Sequence, residues 1–120
     1  MSRVPGKNTS IEIDIQRALR KRKIKYSHHL RVLPGSPDII IKQKKIAVFI
    51  DGDFWHGWRY PQWKHKLKKY WKYKIETNRK RDQRNIRKLR RMNWAVIRLW
   101  EHQIKKDVDG CTERIVEKLK

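Results

Sequence analysis

Four aspartates and one histidine stand where they could do chemistry in a chain otherwise crowded with lysine and arginine. Asp38 follows Pro37 and opens an apolar run, Ile39-Ile40-Ile41. Asp51 and Asp53 flank Gly52 directly after a second run, Ile46-Ala47-Val48-Phe49-Ile50, and His56 follows within Phe54-Trp55-His56-Gly57-Trp58. Asp82 sits in Arg79-Lys80-Arg81-Asp82. If the two apolar runs are the strands of a hairpin, Asp38 begins one and Asp51 lies just past the end of the other, so both fall at one end of the sheet. Carboxylate and carbonyl oxygens gathered in this way suit a hard divalent cation such as Mg²⁺, whose remaining positions go to water and phosphate. Such an ion activates water and shields the charge that builds on a phosphate during cleavage. A histidine nearby can exchange a proton near neutrality. Each residue alone has a plainer use: an Asp after Pro caps a turn, a lone loop histidine does nothing special, and Asp82 is a salt-bridge partner on a basic helix. Their combination points to chemistry.

The elements that would position these groups follow from local pattern. Thr9-Ser10-Ile11-Glu12 reads as a capping box, in which Glu12 satisfies a helix N-terminus without any catalysis. Ile11, Ile15, Ala18 and Leu19 recur at helical spacing, which predicts an amphipathic helix from Ser10 to about Lys23. Tyr26 to Leu33 reads as a strand, and Pro34-Gly35-Ser36-Pro37 as a tight turn. Asp38–Ile41 is a short buried strand, Lys42–Lys45 a turn, and Ile46–Ile50 the returning strand. After a break at Tyr60-Pro61, a long basic helix is expected from Leu67 to about Met92, with Asn93 as its stop. Trp94 to Trp100 alternates as a strand with Trp94, Val96 and Arg98 on one face, and Thr112 to Leu119 closes as a helix. Trp94 and Trp100 are expected in the core. The order α-β-β-β-α-β-α defines an α/β class, a mixed sheet flanked by helices.

At 120 residues the chain is one domain with a single modest core. Thirty-three Lys and Arg against twelve Asp and Glu give a formal net charge of +21. Such an excess opposes compaction, and a polyanion is the simplest partner for basic residues spread along the chain. A thermophile's lysine-rich surface would match its Lys with Glu, which this chain does not. No apolar stretch reaches the length of a membrane span, and the N-terminus carries no signal-peptide pattern. The single cysteine, Cys111, can form neither an internal disulfide nor a Cys-based zinc cluster. A soluble chain in the cytoplasm, with no membrane partner, is therefore expected, and a monomer is the default.

A buried strand opening on an acid, then a returning strand with further ligands, is the layout of metal-dependent nucleases. Four ordered blocks make the likeness specific: GKNTSIE, LPGSPDIII, VFIDGDFWHGW and NRKRDQRNIRKLRRMNWAVIRLWE. With the gaps between them, they resemble the very short patch repair (Vsr) DNA mismatch endonucleases, over about residues 1–102. The resemblance implies a restriction-endonuclease-like core and a Mg²⁺-dependent nick in one strand of double-stranded DNA at or beside a T·G mismatch. It leaves 5′-phosphate and 3′-hydroxyl ends. It implies catalytic roles for Glu12, Asp38, His56 and Asp82. Asp38 and the backbone carbonyl of Ile50 hold the metal, His56 takes a proton from water, Asp82 orients the imidazole, and Glu12 is assigned to metal-bound water. Asp51 is either an outer ligand or an acid behind the ligands. The resemblance also makes Phe54, Trp55 and Trp71 an aromatic wedge beside the mismatch, where unstacking costs least. For Trp71 a place in the core competes with that role.

The chain departs from the family at its structural zinc. Asp53, Trp58, Tyr60 and His102 stand where cysteines and histidines are usual, so one possible ligand remains and no zinc is expected. Packing by Trp58 and Tyr60 is expected to fix the loop instead, and Asp53 to have no catalytic task. The basic arm at residues 1–8 is shorter than the family's, which bears on affinity and mismatch selectivity. Two other readings compete. A site-specific nuclease of the homing type keeps the chemistry, but such enzymes use an appended site-reading domain. A non-catalytic DNA-binding module explains the charge, but gives no reason to hold Glu12, Asp38, His56 and Asp82 together.

Overall fold

Apolar side chains one helical turn apart give the first element its buried stripe. Helix α1 (Thr9–Lys21) buries Ile11, Ile15 and Leu19 on one side. It closes as Lys23 turns left-handed (φ 60°) and the Ile24 N–H donates to the Leu19 carbonyl at 3.0 Å, which satisfies a terminal acceptor. This computed structural model describes residues 9–28, 33–54 and 56–120.

The Pro-Gly turn forms as its composition demands. Pro34 and Gly35 are its central pair, Gly35 takes φ 78°, and the Ser36 N–H closes on the Leu33 carbonyl at 3.0 Å. Strand β1 (Ser27–His28) pairs antiparallel with β2 (Ile39–Ile41), and β2 with β3 (Ile46–Asp51). A 3-10 turn, Lys42–Lys44, joins β2 to β3. Short helix α2 (Tyr60–Trp63) and long helix α3 (Lys69–Arg91) then carry the chain to β4 (Ala95–Trp100), which runs parallel to β3 from Ile46↔Ala95 to Asp51↔Trp100. A parallel neighbour needs such a crossover, and α3 provides it. Helices α4 (Glu101–Lys106) and α5 (Val108–Leu119) complete the chain. The described strands form one mixed sheet in the order β1-β2-β3-β4.

Strand alternation sorts the two faces. Ile39, Ile41, Ile46, Val48, Ile50, Ile97 and Leu99 meet Ile11, Ile15 and Leu19 of α1, Ile104 of α4, and Cys111 and Ile115 of α5 in one apolar core. The opposite face carries Ile40, Ala47, Phe49 and Asp51, then Val96, Arg98 and Trp100, so it turns from apolar to charged along the strands. Helix α3 contacts β4, and its only buried residues are Ile75 and Leu89. Asn93 stops it as expected: Asn93 takes φ 67° and the Trp94 N–H reaches the Leu89 carbonyl at 3.0 Å.

The structure corrects several boundaries. Pro61 does not simply break the chain but sits in the first turn of α2, where a missing N–H costs nothing. The last helix begins at Val108, not Thr112, because Asp107 caps it by accepting from the Gly110 N–H at 2.9 Å. The separate helix α4 was not foreseen. Trp94 and Trp100 are half-buried and lie outside the apolar core. Part of the expected 26–33 strand, the basic arm at 1–8 and Trp55 lie outside the described residues. No helix among the described residues is long and apolar enough to cross a membrane.

Leu99, fully buried in β4, sits where the sheet meets the helical layer. Leu99→Ala should lower unfolding free energy by about 2–5 kcal/mol, whereas Tyr73→Ala on the exposed side of α3 should change it by less than about 0.5 kcal/mol. Urea unfolding of both variants checks this, and similar losses at the two positions would contradict the core assigned here.

Candidate active site

The charged end of the second sheet face is where the sequence-predicted residues meet. A cavity of about 340 Å³ opens there between the sheet and α3. Asp38, Asp51, His56 and Asp82 all line it, together with Arg98. Their origins differ: Asp38 precedes β2, Asp51 ends β3, His56 lies in the following loop, Asp82 is midway along α3, and Arg98 is in β4.

Asp38 continues the hairpin pairing through both its backbone and its side chain. Its N–H donates to the Val48 carbonyl at 3.0 Å, and its Oδ2 accepts the Ile50 N–H at 2.7 Å. The carboxylate, only 5% exposed, is thereby held against the Ile50 peptide. Asp51, 6% exposed, accepts from Arg98 Nε at 2.5 Å through Oδ2. Its other oxygen lies 3.5 Å from His56 Nε2, too far for a firm hydrogen bond. Asp82 Oδ2 takes two contacts, His56 Nδ1 at 2.7 Å and an Arg98 terminal nitrogen at 2.8 Å.

The loop bearing His56 is shaped by its own backbone and by α3. The His56 N–H reaches the Gly52 carbonyl at 3.2 Å, and the Trp58 N–H the Asp53 carbonyl at 2.9 Å. Gly57 takes φ 72°, and a Cβ there would meet the Arg79 side chain at 2.7 Å and Ile75 at 3.0 Å. Only glycine lets the loop lie this close to α3 and bring His56 within reach of Asp82.

An ionised carboxylate only accepts, so Nδ1 of His56 is the protonated nitrogen when the ring is neutral and Nε2 offers its lone pair. Burial by itself lowers the basicity of His56. The hydrogen bond to Asp82 and the negative charges of Asp51 and Asp82 outweigh that loss and the opposing charge of Arg98, and the net effect raises the pKa above 6.5. The ring is thus poised to accept a proton.

Of the four expected catalytic residues, Glu12 is the one that does not line this cavity, and Ile50, expected to hold the metal through its carbonyl, is not part of the lining either. Glu12 is buried in the first turn of α1, and its Oε2 accepts from Gln16 at 3.4 Å. Arg98 is the residue that sequence reasoning passed over. A charge in the middle of Ala95-Val96-Ile97-Arg98-Leu99-Trp100 was the available signal, since an arginine on a half-buried strand needs partners.

Beyond the cavity, Phe54 stands 40% exposed. It stacks on Trp63 at 5.7 Å between centroids and meets Trp71 edge-on at 5.9 Å. Trp71 is half-buried and contacts Tyr70 at 5.1 Å, so it belongs to an aromatic surface and not to the apolar core. Asp53, Trp58, Tyr60 and His102, where the resemblance would have placed zinc ligands, make direct contacts. Asp53 Oδ1 pairs with His102 Nδ1 at 2.9 Å, and Trp58 packs on His102 and Trp100 with centroids 4.6 and 5.0 Å apart. Tyr60 is buried and donates to Glu76 at 2.7 Å.

Carboxylates and an imidazole meet at the end of a mixed sheet in a chain of net charge +21, a balance that suits a polyanionic partner. A model of the DNA mismatch endonuclease Vsr family matches residues 1–62. The type II nicking enzyme V.NmeDIP of Neisseria meningitidis serogroup C is 34% identical over 92% of this chain and 76% of its own length. V.XorIIP of Xanthomonas oryzae is 35% identical over 87% of this chain and 78% of its own length. The DNA mismatch endonuclease Vsr of Escherichia coli K12 is 26% identical over 99% and 78%. The chain belongs to the Vsr DNA mismatch endonuclease family.

In metal-free protein the His56 imidazole should titrate above 6.5, because the cavity stabilises its charged form. Asp82→Asn removes a negative charge and leaves the ring a neutral, weaker acceptor, so it should move the midpoint downward. Imidazole ¹⁵N NMR across pH checks both directions; an unchanged midpoint in the variant would count against Asp82 as the group that sets it.

Proposed function

We propose that the chain is a Mg²⁺-dependent nicking enzyme that hydrolyses one phosphodiester of double-stranded DNA at or beside a T·G mismatch. It acts in the cytoplasm as a monomer. The observation that carries this reading is the convergence of Asp38, Asp51, His56 and Asp82 on one cavity in a strongly basic chain. The sequence of α1, a β2–β3 hairpin, α3 and β4, with acids at one sheet end, supports a restriction-endonuclease-like core. The printed names of the relatives, nicking enzymes and a mismatch endonuclease, support the reaction and the lesion.

The donors present fit a hard divalent ion. Among the described residues no three His, Cys, Asp or Glu side chains gather closely enough to hold a metal alone. The Asp38 carboxylate, held against the Ile50 peptide, and the Ile50 carbonyl are hard oxygen donors, and Mg²⁺ keeps several positions for water and phosphate. Asp51 is the acid behind them, its Oδ2 taken by Arg98. When bound, the ion supplies Lewis-acid polarisation of the scissile phosphate.

The chain's own residues do the rest. His56 accepts a proton from attacking water at Nε2, while Asp82 holds Nδ1–H and steadies the imidazolium that forms. Glu12 is assigned to ordering water near the ion, a role that rests on its family match. Products carry 5′-phosphate and 3′-hydroxyl ends. Phe54 and Trp71, with Trp55, form the wedge; an exposed apolar ring enters most readily beside a mispair already poorly stacked. The Lys and Arg of α3 hold the phosphate backbone, so affinity falls steeply with salt.

An end-labelled duplex with one T·G mismatch, beside its fully paired twin, tests the reading with Mg²⁺ and with chelator. Metal-dependent nicking of the mismatched duplex alone is expected; cutting of both would remove the lesion specificity and favour a site-specific nuclease. Asp38→Ala should reduce nicking by about 100-fold or more while binding to DNA persists. Phe54→Ala should lower the preference for the mismatched duplex by about tenfold with less effect on basal cutting, and equal losses on both duplexes would sink the wedge.

A further inference from the structure

Among the described residues Arg98 is the one group besides His56 itself that pairs with both Asp51 and Asp82, and the family likeness gives it no task. We infer that Arg98 is a positioning residue that keeps the Nε2 face of His56 open by holding Asp51 away from it. The inference rests on the reading of His56 as the proton acceptor.

Two carboxylates face the imidazole from different sides. Asp82 binds Nδ1 at 2.7 Å, and Asp51 Oδ1 lies 3.5 Å from Nε2. Asp51 is buried, and a buried carboxylate closes on the nearest donor. Without another partner, that donor is a protonated Nε2. The ring would then be clasped between two acids, with no lone pair directed at water. Arg98 prevents this by giving Asp51 a better partner, Nε at 2.5 Å.

The geometry of the fork explains why arginine stands here. One edge takes Asp51 Oδ2 and a terminal nitrogen takes Asp82 Oδ2 at 2.8 Å, so a rigid plane sets the separation of two acids that come from β3 and α3. The plane is itself fixed: its central carbon lies 4.4 Å from the Trp100 ring centroid. Arg98 shares a sheet face with Phe49, its register partner on β3, which places the guanidinium beside the cavity and outside the apolar core. A lysine in its place brings a single point charge, which can satisfy one acid but cannot space two.

The test compares wild type, Arg98→Lys and Arg98→Met in two independent readouts. The first is single-turnover nicking of the mismatched duplex with saturating protein, together with Kd for the same duplex in the absence of metal. The second is imidazole ¹⁵N NMR of metal-free protein at alkaline pH, which reports the tautomer and whether Nε2 is hydrogen-bonded. The expected result is a loss of about 10- to 100-fold in rate for both variants, with Kd within about threefold. The NMR signal is expected to move from Nδ1–H with an open Nε2 toward an Nε2-bonded or mixed state. Arg98→Lys preserves the charge and guards against a folding failure in Arg98→Met. A full rate in Arg98→Lys, or an unchanged imidazole signature in either folded variant, overturns the inference. A rate loss matched by an equal loss in Kd also overturns it and makes Arg98 a DNA contact. Should the wild type not nick at all, the proposed function fails, yet the imidazole signature still decides whether Arg98 holds Asp51 off the ring.

Discussion

Acids that are nearly out of water must each find a donor, and that requirement organises this molecule. An unpaired buried carboxylate is costly enough to shift its protonation or deform its surroundings. Here each is answered by a different layer of the fold. The backbone answers Asp38 through the Ile50 N–H, β4 answers Asp51 through Arg98, and Asp82 is answered by His56 and Arg98 together. Removing any one donor leaves its acid to compete for the others. The cavity is therefore a set of linked choices, and the sheet register that fixes Phe49 opposite Arg98 is part of its chemistry.

The two sheet faces divide the labour. One is wholly apolar and seals against α1, α4 and α5. The other is apolar only at the Ile40 and Ala47 end and gives way to Asp51 and Arg98 at the far end, so α3 cannot seal it and a cavity remains. A rigid face backs a polar one, which holds the side chains without closing them off.

Much of this was legible in the sequence, because the relevant signals are local. The Pro-Gly turn, the hairpin that brings Asp38 near the end of β3, and the stop at Asn93 depend on a few neighbouring residues whose conformational limits are strong. The placement of His56 against Asp82 came from family likeness and not from spacing. What escaped was of two kinds. The split between α4 and α5 turns on Asp107, whose capping role is clear only once the chain has bent there. Arg98 escaped because its partners are 47 and 16 positions away and nothing in Val96-Ile97-Arg98-Leu99 names them. Glu12 was read as part of the site from the likeness alone, and in the structure it is buried on α1 and is not part of the cavity lining.

The placement of β4 has a consequence for how the protein comes into being. β4 joins the sheet beside β3, yet it is the last strand made, after the whole of α3. Asp38, Asp51 and His56 all leave the ribosome before it. Until β4 docks, nothing spaces Asp51 from Asp82, and the cavity has one wall missing. An unfinished chain, or one cut short by a premature stop before Arg98, carries the acids of a nuclease without the frame that makes them one.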